Sequence, residues 1–216
     1  MTGALAAFRR GRPDPRIGPS LFIAVPLPDT ATDEVTALVR SVRREPDRPD
    51  DAGRDPNDVR WVRMGALHLT VRFLGPTPLD RIPLIVGILE RVAEATETFA
   101  VRLSGTGAFP SSDRPRTLWL GVAGGLVELA SLAGAISEQL TAAGWPLDDR
   151  PFRAHLTLAR SDGVRAGSAV AHALQHAAAD RGFSAEFVAD RIVLFESRTG
   201  HGAARYERLH EALLQG

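Results

Sequence analysis

Two short phrases repeat in this sequence, His68-Leu69-Thr70 and His155-Leu156-Thr157, each set in an apolar run. In an extended strand residues i and i+2 share a face, so each His and its Thr point one way while the Leu between them points into the opposite layer. Imidazole titrates near neutral pH. A facing pair of such rings suits the opening of a cyclic phosphodiester, one neutral ring taking a proton from attacking water while a second, charged ring gives one to the leaving oxygen. The hydroxyls of Thr70 and Thr157 can donate hydrogen bonds to non-bridging phosphate oxygens, whose charge grows in the transition state. Such chemistry requires no metal. One copy of the phrase is a weak signal, because a lone strand histidine is commonly a hydrogen-bonded core residue. Two copies at equivalent places favour a reactive pair over two desolvated imidazoles left without use.

The elements around these phrases also repeat. Ser20–Pro26 reads as a buried strand, and Thr32–Arg44 carries Val35, Leu38, Val39 and Val42 at helical spacing. Short strands at Val59–Val62 and Leu67–Leu74 follow, then a helix from Leu79 to about Thr96 and a strand at Phe99–Phe109. The order then restarts: Leu118–Val122 (LWLGV) resembles Leu21–Val25 (LFIAV), and Leu126–Ala143 is helical. Phe152–Arg160 carries HLTLAR where the first half has HLTVRF, and Ala166–Arg181, Phe183–Val188 and Arg191–Glu196 complete the pass. The expected fold is α+β: a duplicated unit of two lobes, each an antiparallel sheet backed by helices, around a central cleft to which each lobe brings one histidine. Strict alternation places Val71, Phe73 and Leu158 on the core side and Arg72 on the face of His68 and Thr70.

Composition narrows the chemistry. Lys+Arg and Asp+Glu balance at 26 each, so any phosphate-binding surface is a local patch rather than a global field. The absence of cysteine removes thiolate metal sites, disulfides and cysteine nucleophiles. His172 and His176 share a helix face at a zinc-compatible spacing, but HALQH lacks the Glu of HExxH and a third ligand, so no metal or other cofactor is expected. His201 and His210 fall in a polar closing region and read as surface residues. No apolar run is long enough to span a bilayer, which makes a cytoplasmic, membrane-free protein the default. Residues 1–19, with several Arg among Gly and Pro, read as a flexible extension, and Glu45–Asp58 as a polar surface loop inserted in the first repeat. Residues 20–216 then form a single two-lobed domain, and a site complete within one chain favours a monomer.

The phrases LFIAVPLP (21–28), HLTVRFLG (68–75), RPRTLWLGV (114–122), RPFRAHLTLAR (150–160) and LFESRTGHGAARYE (194–207) resemble the 2H phosphoesterases, and within them the bacterial and archaeal RNA 2′,3′-cyclic phosphodiesterases once named 2′-5′ RNA ligases. The resemblance implies hydrolysis of a terminal 2′,3′-cyclic phosphate to a 2′-phosphate, with His68 as proton donor to the 3′ oxygen and His155 as acceptor from water. The partners it implies are RNA 3′ ends or small cyclic nucleotides. Arg160 matches an Arg that follows the second motif in this branch, although alternation puts it on the face opposite His155 unless a bulge or strand end intervenes. Arg72 is the geometrically easier basic partner, with a solvated rim charge as its plain alternative. Phe22 matches an aromatic that can stack on a nucleobase, against ordinary core packing. Two alternatives stay open: a binder of cyclic-phosphate ends without turnover, and the same chemistry on a small cyclic nucleotide or a 2′-5′ linkage.

Overall fold

The computed structural model describes residues 18–43, 59–148, 151–161, 164–198 and 204–216. The expectations for residues 1–17, for Glu45–Asp58 and for His201 lie outside these residues. In chain order the elements are β1 (Ser20–Pro26), α1 (Asp29–Val42), β2 (Val59–Trp61), β3 (His68–Pro76), α2 (Ile82–Glu94), β4 (Phe99–Phe109), β5 (Thr117–Gly124), α3 (Leu126–Ala142), β6 (His155–Ser161), α4 (Val164–Asp180), β7 (Ser184–Ala189), β8 (Arg191–Arg198) and β9 (Arg205–Leu213). Among the described residues no helix is long and apolar enough to cross a membrane.

Two four-stranded antiparallel halves, β3-β1-β8-β9 and β6-β5-β4-β7, meet where β3 pairs with β6 through Leu69 and Leu156. β2 extends the same edge of β6, with Val59 opposite Ser161 and Trp61 opposite Ala159. The halves do not coincide with the two sequence repeats. β4 ends the first repeat but pairs with β5, while β8 belongs to the second and pairs with β1. The helices cross over too: α1 follows β1 yet packs against α4 and β7, and α3 follows β5 yet packs against α2 and β3. Each half is thus built from both repeats.

One face of the sheet carries the helices and the main core. Leu21, Ile23 and Val25 of β1, Leu69, Leu156 and Leu158 meet Val35, Leu38, Ile88, Leu89, Leu129 and Ile136 there, all buried. Each helix contributes its apolar stripe because these residues recur at three- and four-residue spacing. The turn into α3 depends on Gly125, whose φ is +80° and whose missing Cβ would lie 2.5 Å from the Ala100 carbonyl oxygen. The other face holds a small separate cluster of Phe22, Ala24, Val193 and Phe195 with Tyr206 packed against it. β9 has no counterpart among the expected strands. It completes a hairpin with β8, and its His210 is a partly buried residue whose Nε2 lies 2.5 Å from Glu90 of α2, not the surface residue expected from the polar sequence.

Candidate active site

The pairing of Leu69 with Leu156 fixes the centre of the site. In an antiparallel ladder the flanking residues then face each other in crossed order, so His68 stands opposite Thr157 and Thr70 opposite His155 on one face of the sheet. This face is the one turned away from the helices. The arrangement is pseudo-two-fold: each imidazole has the other repeat's threonine as its cross-strand neighbour.

The two rings are held alike. His68 Nδ1 lies 2.8 Å from the Ala66 carbonyl oxygen and His155 Nδ1 lies 2.7 Å from that of Arg153, in each case the residue two before the histidine. A carbonyl oxygen only accepts, so both Nδ1 atoms carry the hydrogen, and Nε2 is left as the nitrogen that exchanges protons.

The same irregularity follows both motifs. Along β1–β3 the register passes from Ile23 opposite Arg72 to Ala24 opposite Thr70, and along β5–β6 from Leu118 opposite Ala159 to Trp119 opposite Thr157. Val71 and Leu158 are the extra residues. Each bulge reverses the alternation beyond it. It turns Arg160 onto the histidine face, where its positive charge acts on both His68 and Tyr206 and its Nη1 lies 3.5 Å from Thr117 Oγ1. The bulge that alternation required for Arg160 is therefore present.

The bulge also corrects two expectations in the first half. Arg72 does not share the face of His68: it is 4% exposed on the helix side, where Nη1 lies 2.6 Å from Asp148 and Nη2 donates to the Pro146 carbonyl. Phe73, expected in the core, is 62% exposed and its ring centroid lies 6.1 Å from that of Phe22. Phe22 itself is 2% exposed. It stacks on Phe195 at 5.1 Å and underlies His68 at 4.9 Å, so it supports the imidazole rather than offering a free face to a base.

Sequence reasoning missed the other aromatics at the two rings. Tyr206 meets His68 edge-on at 5.1 Å, and Phe109 meets His155 edge-on also at 5.1 Å. Tyr206, the chain's one tyrosine, lies in the phrase LFESRTGHGAARYE, but nothing in the sequence tells that β9 carries it to His68. Burial among these rings lowers the pKa of His68, with the charge of Arg160 and of His155 acting in the same direction and the bond to Ala66 opposing them. Burial likewise raises the Tyr206 hydroxyl, against the opposite pull of Arg160. His172 and His176 are exposed on α4, and among the described residues no group of three potential metal ligands forms.

The model of the 2′-5′ RNA ligase superfamily matches residues 27–201, and the chain belongs to that superfamily, whose members are 2H phosphoesterases. Its curated relatives include the RNA 2′,3′-cyclic phosphodiesterase of Aeropyrum pernix, 38% identical over 108 residues that make up 50% of this chain and 60% of that protein. That of Archaeoglobus fulgidus is 31% identical over 141 residues, 65% of this chain and 71% of that one. The match thus spans less than two thirds of the first and somewhat more of the second. Among solved structures, that of TT0787 from Thermus thermophilus superposes with a TM-score of 0.67 at 25% identity, over 91% of this chain and 98% of that one.

Proposed function

We propose that this chain hydrolyses the 2′,3′-cyclic phosphate at RNA ends to a 2′-phosphomonoester, with His68 and His155 as its acid and base. The observation that carries the reading is the crossed pairing about Leu69 and Leu156, which sets both imidazoles and both threonines on one open face. The names of the curated relatives support the substrate class.

A phosphate centred between the motifs meets Thr70 and Thr157 on its non-bridging oxygens, with Arg160 adding positive charge as negative charge builds on them. The family's order has His155 Nε2 take a proton from water as the water oxygen bonds to phosphorus. The bond from phosphorus to O3′ breaks, and Nε2–H of His68 protonates that oxygen. Burial favours neutral His68 in the free protein. The donor role therefore relies on the negative charge of the bound phosphodiester to hold the proton there.

The test is incubation of the purified chain, with EDTA present, with a short RNA ending in a 2′,3′-cyclic phosphate. The expected product is a phosphatase-sensitive monoester that co-migrates with a 2′-phosphate standard and not with a 3′-phosphate one, and it disappears in His68→Ala and His155→Ala. A 3′-phosphate reverses the identity of the leaving oxygen; RNA bound without turnover replaces the enzyme reading with a binding one.

A further inference from the structure

We propose that an aromatic pocket beside His155 is a nucleobase site, an inference that rests on the phosphodiesterase reading and gives the substrate its organic half. The pocket encloses about 320 Å³ and is lined by Phe109, Trp119, Phe152, Arg153 and His155, with Leu126 of α3 at its side. Ligand pockets run from roughly 300 to 1,000 Å³, so this one has room for a single base rather than a stacked run.

Its walls have the chemistry of a base platform. The rings of Phe109 and Trp119 lie 5.2 Å apart at 36°, and Phe109 meets the His155 imidazole edge-on. The indole is laid across Gly107, where an added Cβ would come within 2.3 Å of it. The Arg153 guanidinium stands 5.9 Å from the centre of the Phe109 ring. Planar faces joined to one exposed cation suit a flat heterocycle on an anionic molecule better than an aliphatic group, and every nucleobase has such a face.

The first half supplies the contrast. Ala24, opposite Thr70, holds in the first half the register place that Trp119, opposite Thr157, holds in the second. There the space next to the histidine is filled by Phe22, with Phe195 stacked on it and Tyr206 meeting it edge-on, whereas next to Trp119 it is open. The organic part of a substrate centred on the two motifs finds its cavity on the side of His155. The base is that of the nucleoside that carries the cyclic phosphate.

The experiment compares kcat/KM on adenosine 2′,3′-cyclic phosphate with kcat/KM on ribose 2′,3′-cyclic phosphate lacking the base, for the full chain and for Trp119→Ala and Phe152→Ala. The preference for the base-bearing substrate is expected to fall about tenfold to hundredfold in each variant, the range of lost base–aromatic stacking. Equal losses on both substrates, or none, overturn the site. A binding measurement separates this inference from the catalytic one. Trp61 and Trp145 are buried, so AMP titrated against tryptophan fluorescence reports on Trp119. Saturable quenching that is lost in Trp119→Phe and weakened in Phe152→Ala supports the pocket even if no cyclic phosphate is hydrolysed, and its absence overturns the pocket even if hydrolysis is fast.

Discussion

The halves around His68 and around His155 share a backbone and differ in what it carries. Both have a motif strand beside the opening strand of the same repeat, a bulge directly after the threonine at Val71 or Leu158, and a histidine bonded to the carbonyl two residues back. On that common frame Phe73 and Arg160 occupy matching exposed positions, and Arg72 and Ala159 matching buried ones. One imidazole rests in a filled aromatic nest; the other borders an open pocket. Duplication has preserved what aims the reacting groups, while the side chains around them have specialised, one half toward holding its histidine and the other toward space and charge.

The largest expected effects are at the histidines. His68→Ala and His155→Ala are each expected to lower turnover at least about a hundredfold, as removal of a general acid or base does. Initial rates on a cyclic-phosphate RNA that fell in only one of the two would end the account of an equivalent pair.

The arginines come next, because the bulges give them opposite duties. Arg160→Ala should cost about tenfold to hundredfold in kcat/KM through the lost charged contact to phosphate. Arg72→Met should leave kcat/KM near that of the wild type while lowering stability by about 1–3 kcal/mol in urea unfolding, since its charged bonds to Asp148 and the Pro146 carbonyl are lost. The reverse pattern would mean that the bulges do not set the two faces.

The smallest effects concern pH. Because burial holds His68 below its ordinary 6.5, the unfolded chain binds this proton more readily than the folded one. His68 therefore favours the folded state fully above pH 6.5, and that contribution is lost as pH falls toward the lowered folded value. A denaturant midpoint followed from pH 7.5 to about 5 should drop more in the wild type than in His68→Gln. Tyr206→Ala opens the nest and should raise the His68 pKa toward 6.5 in an NMR titration, taking the corresponding limb of the kcat/KM profile with it.

Most elements are legible in the sequence because their periods are clear: Phe99–Phe109 has the bounds read from the residues alone, and the four helices lie where three- and four-residue spacing puts them. β9 escapes because it borders the sheet edge with mostly exposed residues, so RYERLHEAL carries no apolar face to announce a strand. The histidines and threonines can be placed on one face from i and i+2 alone. Phe73 and Arg72 cannot, because a single extra residue in the ladder reverses every later side chain and leaves no mark in composition. Nor does the repeat foretell that β4 and β8 trade places. Two like units present the same apolar strand edges, and either exchange or self-pairing satisfies their hydrogen bonds.

That trade bears on how the chain can be cut. A nick in the turn between β4 and β5 separates the repeats in sequence, yet the first fragment keeps α1 and β4, whose packing partners are α4, β7 and β5 in the second fragment. The second keeps α3 and β8, which pack against α2, β3 and β1 in the first. Each fragment is the other's missing layer, so the pair is suited to complementation: insoluble or unfolded alone, the two are expected to reassemble on mixing, with both imidazoles returned to one surface.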